Sequence, residues 1–302
     1  MPPRKRLKTT PTDFRQEDFW ATKVGYYMLW FEYLALSPSY ELARQFRAGD
    51  LKILNNDSLP EDFDRVLEVF DDFGDVQKKQ FLPWWRERGM QLCGHQGSKP
   101  KVTKVAAVSR KTAGLSDAAK ALEEYTKNDW CEQGQQNTLV LAVPIGLPKS
   151  RIAKEIAQLI DSYPKQAKSL KAPKPKYGLA GKRQNKDMLF RYMQVLLTRA
   201  AMPKQELWRV GVRSKVSETY SPELEADAKV VRHQGTYDRM MLTILTSRAY
   251  QRGTLIAENA ARGKFPSYAP RDHALEFDLT ELHKRFTARH SWQKAQRAKD
   301  KA

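Results

Sequence analysis

Asp227-Ala228-Lys229 sets a carboxylate and a lysine at the spacing of a metal-dependent nuclease half-site. That chemistry needs both on a strand, with a second acid from a neighbouring strand sharing a Mg²⁺ ion. The run around them, SPELEADAKVVRH, reads instead as a helix behind Pro222, and the match stands without its context. Cys93-Gly94-His95 could donate two metal ligands, yet no second pair follows at finger spacing, and Cys131 lies apart. The histidines, His95, His233, His273, His283 and His290, form no HxH or HxxxH pair. PIGLPKS, from Pro144 to Ser150, ends like a phosphate loop but lacks its glycines. No catalytic residue, metal ligand or cofactor site is expected, and the chain does not read as an enzyme.

The chemistry that remains is electrostatic. Lys and Arg number 53 against 35 Asp and Glu, a net charge of +18 on 302 residues. Such a surface attracts polyanions and repels its own copies, and nucleic acid is the common partner. The densest basic stretch runs from Lys165 to Lys186 without an acid, broken by Pro173, Pro175, Gly178 and Gly181. Lys174, Lys176, Lys182, Arg183 and Lys186 from it are the candidate phosphate grips, since a lysine arm binds backbone without reading sequence. Its alternative is a solvated linker. Residues 1–13 form a second basic tail with Arg4, Lys5, Arg6 and Lys8.

Positioning those groups is the task of helices. The run DMLFRYMQVLLTRA carries Met188, Tyr192, Val195 and Leu196 at helical spacing; Pro203 sits as the first residue of a short helix through Leu207, Trp208 and Val210; TYDRMMLTILTSRAYQRGTLIAENAARGKFP repeats the period through Tyr237, Met241, Ile244, Leu245, Leu255, Ile256 and Asn259. With Gly211 as the turn glycine, Val212–Val216 would begin a recognition helix of helix-turn-helix type. Arg209, Arg213, Ser214 and Lys215 would then face the groove, with Arg248 and Arg252 on the long helix behind. The alternative is three ordinary core helices.

Earlier in the chain, Trp20, Val24, Tyr27, Met28, Phe31 and Leu34 mark a buried helix. Ser37-Pro38 caps a second that Gly49 closes, with Leu42 and Phe46 inward. A third carries Phe63, Val66, Leu67 and Phe70 on one side and Asp62, Asp64, Glu68, Asp71 and Asp72 on the other. That acidic face reads as solvated; its alternatives are a dock for a basic partner, possibly this chain's own basic half, and a carboxylate metal site. Ser116 caps a helix towards Trp130. Thr138–Ile145 reads as a short strand that Pro144 limits to an edge, and Ile152, Ile156, Leu159 and Ile160 give the following helix an inward face.

The expected fold is mainly α, with at most one or two short strands. It comprises an N-terminal helical module at 14–95, a basic linker and helix at 96–136, a C-terminal nucleic-acid-binding domain at 137–270 and a basic tail at 271–302, where Leu275, Phe277, Leu279, Leu282 and Phe286 could add a last helix. No run approaches a membrane span and no signal peptide is evident, so a soluble cytoplasmic protein is expected. The runs GYYMLWFEYLALSPSYELA, DDFGDVQKKQFLPWWRERG and RAYQRGTLIAENAARGKFP resemble a poorly characterised group of helical bacterial proteins. These are carried by prophages, integrative elements and defence islands, and some are labelled DNA-binding. The resemblance implies nucleic-acid association and transfers no functional residue. Duplex DNA is the favoured ligand. A backbone-gripping subunit of a nucleoprotein complex is the alternative, and a metal-dependent nuclease comes third.

Overall fold

In the computed structural model, the described residues are 24–49, 59–94, 101–108, 115–131, 133, 137–163, 174–181, 185–221, 224–229 and 235–299. Trp20, the basic tail at 1–13, Lys182 and Arg183 lie outside them. The described residues are mainly helical and contain no strand, only an isolated bridge between Leu179 and Phe265. Two units divide the chain: Met90–Lys176 forms one, and the residues up to Gly89 together with those from Tyr177 onward form the other. This differs from the expected modules. The helices before Gly89 share one core with the C-terminal half, because their aromatic faces are completed there.

The centre of that discontinuous unit is α1 (Val24–Leu36), apolar on every side and buried along almost its whole length. Trp30 is fully buried, stacked on Phe265 with centroids 5.4 Å apart and edge-on to Tyr177, and its indole N–H donates to the Ala260 carbonyl at 3.2 Å. The Tyr33 hydroxyl donates to the Leu189 carbonyl at 2.7 Å. Ser37 and Pro38 start α2 (Pro38–Ala48) as their types predict, and Gly49 closes it at φ 73°. Phe46, expected inside, is 44% exposed, and Tyr40 and Ala43 carry the buried side instead. Next, α3 (Phe63–Phe73) buries Phe63, Val66, Val69, Phe70 and Phe73. Then α4 (Phe81–Trp84) brings in Trp84, whose indole N–H donates to the Phe73 carbonyl at 2.8 Å.

In the other unit, α5 (Leu115–Tyr125) runs into a π-helical turn at Thr126–Trp130, and α6 (Lys149–Asp161) follows. The strand expected at 138–145 is not formed. Val140, Val143 and Ile145 are exposed, since a lone apolar run has no ladder to join. The inward face expected of α6 is corrected too, with Leu159 and Ile160 exposed.

Three helices complete the larger unit before the last: α7 (Lys186–Ala201), α8 (Leu207–Ser214) and α9 (Thr236–Ala260). All three runs are helical as read; α9 buries Ile256 and Asn259 as their spacing predicts, but its earlier turns face a different side inward. It buries Leu242, Thr246, Ala249, Gly253, Ile256 and Ala257, while Tyr237 and Ile244 point outward. Small residues win because α7 and α8 approach closely; a Cβ on Gly253 would sit 3.0 Å from the Leu196 side chain. Finally, the last helix read through Leu279, Leu282 and Phe286 forms as α10 (Leu279–Lys299) and takes in most of the basic tail, anchored through Leu282, Arg289 and Gln293.

Candidate nucleic-acid interface

The expected reader is corrected at its turn. Gly211 lies inside α8, and its missing side chain serves packing: a Cβ there would meet the Thr246 Oγ1 at 2.3 Å. Helix α8 runs on to Ser214 and stops at Lys215, which takes the left-handed conformation at φ 51°. No recognition helix begins at Val212. Ser214 is buried, and its hydroxyl donates to the Val210 carbonyl at 2.8 Å, so it faces the core and not a groove. Pro203 sits in the turn before α8 rather than at its first residue, since Glu206 takes the N-cap position.

The candidate cations divide by what already holds them. Arg209 lies 4.4 Å from the Trp208 ring, with Arg239 at 5.9 Å from the same ring. The Arg209 guanidinium also bonds Glu206 at 3.0 Å and the carbonyls of Ala226 and Ala228 at 2.5 and 3.1 Å. One turn on, Arg213 pairs with Asp227. From α7, Arg191 reaches the end of α8, bonding the Val216 carbonyl at 3.4 Å and Glu218 at 2.5 Å. Arg252 donates to the Tyr192 hydroxyl at 2.9 Å and lies over the Tyr192 and Tyr268 rings. Lys186 sits 5.2 Å from the Tyr26 ring, and partial burial lowers its pKa against the pull of Asp187. Lys174, Lys176, Lys215 and Arg248 are exposed.

Asp227-Ala228-Lys229 lies in a turn, neither on the helix expected nor on the strand a nuclease half-site requires. Among the described residues, no group of three His, Cys, Asp or Glu is placed to hold a metal ion, and no helix is long and apolar enough to cross a membrane.

No family model, curated protein or solved structure matches this chain.

Sequence reasoning missed a buried ionic network. Glu258 accepts from Ser37 and Ser39 hydroxyls at 2.6 and 2.5 Å, from the Leu275 N–H at 3.2 Å and from Arg262 at 2.9 Å. Arg262 also bonds Asp62 at 2.7 Å, and Arg271 reaches the same carboxylate at 3.3 Å. Burial works against the charge of Arg262, but the hydrogen bond to Asp62 and the charge of Glu258 outweigh it and raise its pKa. Burial likewise pushes Asp62 up, and the bond and charge of Arg262 overcome it, leaving the carboxyl below its ordinary value. A second pair, Glu32 with Arg289, is bidentate and ties α10 to α1. Glu41 pairs with Arg44 at 2.7 Å and with Arg285 at 3.7 Å. Two signals were legible: Glu258 and Arg262 stand four apart where a helical run ends, and Glu32 interrupts an apolar run and so demands a partner.

The acidic face of α3 is mostly engaged within the chain. Asp62 meets Arg262 and Arg271, Glu68 meets Arg65, Asp71 meets Arg47, and Asp72 accepts from the Tyr177 hydroxyl. Asp64 stays exposed.

Proposed function

We propose that this chain grips the phosphate backbone of nucleic acid without reading bases, as a non-catalytic structural or adaptor subunit of a nucleoprotein complex. One observation carries the reading. Ion pairs among buried and half-buried groups set four carboxylates (Glu32, Glu41, Asp62 and Glu258) against five guanidinium groups (Arg44, Arg262, Arg271, Arg285 and Arg289). These pairs therefore absorb one positive charge, and nearly all of the net +18 falls elsewhere. A polyanion with regular charge spacing answers such an excess through counterion release. Gripping is favoured over reading because Ser214 is buried and Arg209 is tied to backbone carbonyls. Duplex DNA is the foremost ligand.

The test is binding to random-sequence duplex, single strand and RNA at two salt concentrations. Replacing Lys174, Lys176, Lys182 and Arg183 by Gln is expected to lower the log–log salt slope on duplex by about 0.9 for each phosphate no longer neutralised. Affinity should fall equally across sequences. A strong preference for one site, or a slope untouched by the substitutions, would sink the reading.

A further inference from the structure

We infer that Arg191, Arg209 and Arg213 form a phosphate-binding face of α7 and α8 that the chain's own acidic residues occupy as a stand-in for nucleic-acid backbone. The inference rests on the gripping reading above and names a second place where it acts.

The three arginines are brought together by the fold. Arg209 and Arg213 stand four apart on α8 and so share one side of it. Arg191 comes from α7 to the end of that helix, where it bonds the Val216 carbonyl. Besides Glu206 beside Arg209 and the Val216 carbonyl beside Arg191, the oxygens around them come from one stretch of chain. Glu218 serves Arg191, the Ala226 and Ala228 carbonyls serve Arg209, and Asp227 serves Arg213. Oxygen acceptors set against a planar guanidinium are what a phosphodiester also supplies, and Arg takes phosphate and carboxylate with the same fork.

Composition sets this stretch apart. Between Ser217 and Lys229 stand Glu218, Glu223, Glu225 and Asp227 against Lys229 alone, in a chain where bases outnumber acids 53 to 35. The described parts of the stretch, 217–221 and 224–229, contain turns and no helix or strand. The carboxylates lie towards water: Asp227 is 82% and Glu218 74% exposed. Exposed ion pairs of this kind add little to stability, so a polyanion offering several phosphates at once can displace them. The buried pairs elsewhere in the protein, such as Glu258 with Arg262, have no such access.

The experiment compares the full chain with Glu218→Gln/Asp227→Asn, using labelled random-sequence duplex at two salt concentrations. Freed arginines should tighten binding by roughly three- to tenfold at the lower salt. They should also steepen the salt slope by about 0.9 for each arginine that gains a phosphate. The same charge change placed elsewhere, Asp71→Asn/Glu87→Gln, should give a clearly smaller gain. Adding Arg209→Gln and Arg213→Gln to the acid variant should remove the gain. No tightening, a gain equal to that of the remote control, or a gain that survives loss of the arginines would overturn the inference. If the double variant melts early, Asp227→Asn alone is read against the same outcomes. A wild-type chain that binds with an unchanged response to the acid variants defeats only this inference. Absence of binding to duplex, single strand and RNA by wild type and variants alike defeats the gripping reading with it.

Discussion

Glu258 shows how one residue can hold several segments at once. It takes five hydrogen bonds, from Ser37, from the Ser39 backbone and side chain, from Leu275 and from Arg262. Removing one partner of a buried pair leaves the other charge desolvated, which costs about 3–5 kcal/mol. Glu258→Ala is therefore expected to destabilise the protein by that amount in urea unfolding. Asp62 adds a pH signature. Its folded pKa is depressed, so its stabilising contribution is complete above the ordinary aspartate value near about pH 4 and is lost as pH falls through the lower folded value. The gap in stability between wild type and Asp62→Asn should be widest at neutral pH and close on acidification. A gap that widened in acid would mean that the folded protein raises this pKa instead of lowering it.

Between elements, the decisive contact is α8 on α9. Alanine is normally the better helix former, by about 1 kcal/mol over glycine. At Gly211 the added carbon would strike Thr246 Oγ1, so Gly211→Ala should lower stability by about 1–3 kcal/mol despite the propensity gain. Thr246 is fully buried, and its hydroxyl has no hydrogen-bond partner among the described residues, so trimming it removes no bond. The double variant Gly211→Ala/Thr246→Ala should recover most of the stability, as thermal melts of the single and double variants would reveal. The same packing explains why Gly211 reads differently in sequence. A glycine stands there between two helical stretches, and a turn is the ordinary use of such a residue. Its actual use depends on a threonine 35 positions away, which local spacing cannot reveal.

At the scale of the whole molecule, the core of the larger unit is built from both ends of the chain. Trp30 packs on Phe265 and bonds Ala260, and Glu32 pairs with Arg289. An isolated fragment of residues 14–95 would expose those faces and leave Glu32 unpaired, so it should show no cooperative melting transition. A sharp melt from that fragment would restore the N-terminal module as an independent domain. The larger unit should instead tolerate replacement of 96–173 by a flexible glycine–serine linker. Its melting temperature should shift by no more than about 4 °C, the scale of a 1 kcal/mol change in a unit of this size.

The sequence alone determined the helical class, several helix ends and the charge. Those depend on neighbours a few residues apart: the Ser37 cap, the Gly49 stop, and the apolar period that drew α1, α3 and α7. Net charge is a sum and needs no fold at all. Tertiary structure decided which side of α9 is buried, because the winning face is set by how closely α7 and α8 approach rather than by which residues are most apolar. It also decided which arginines are held and which are open. Pairings such as Arg262 with Asp62, or Arg213 with Asp227, join residues 200 and 14 positions apart. Charge carries no periodicity that would reveal its partner; only the folded chain brings the two together.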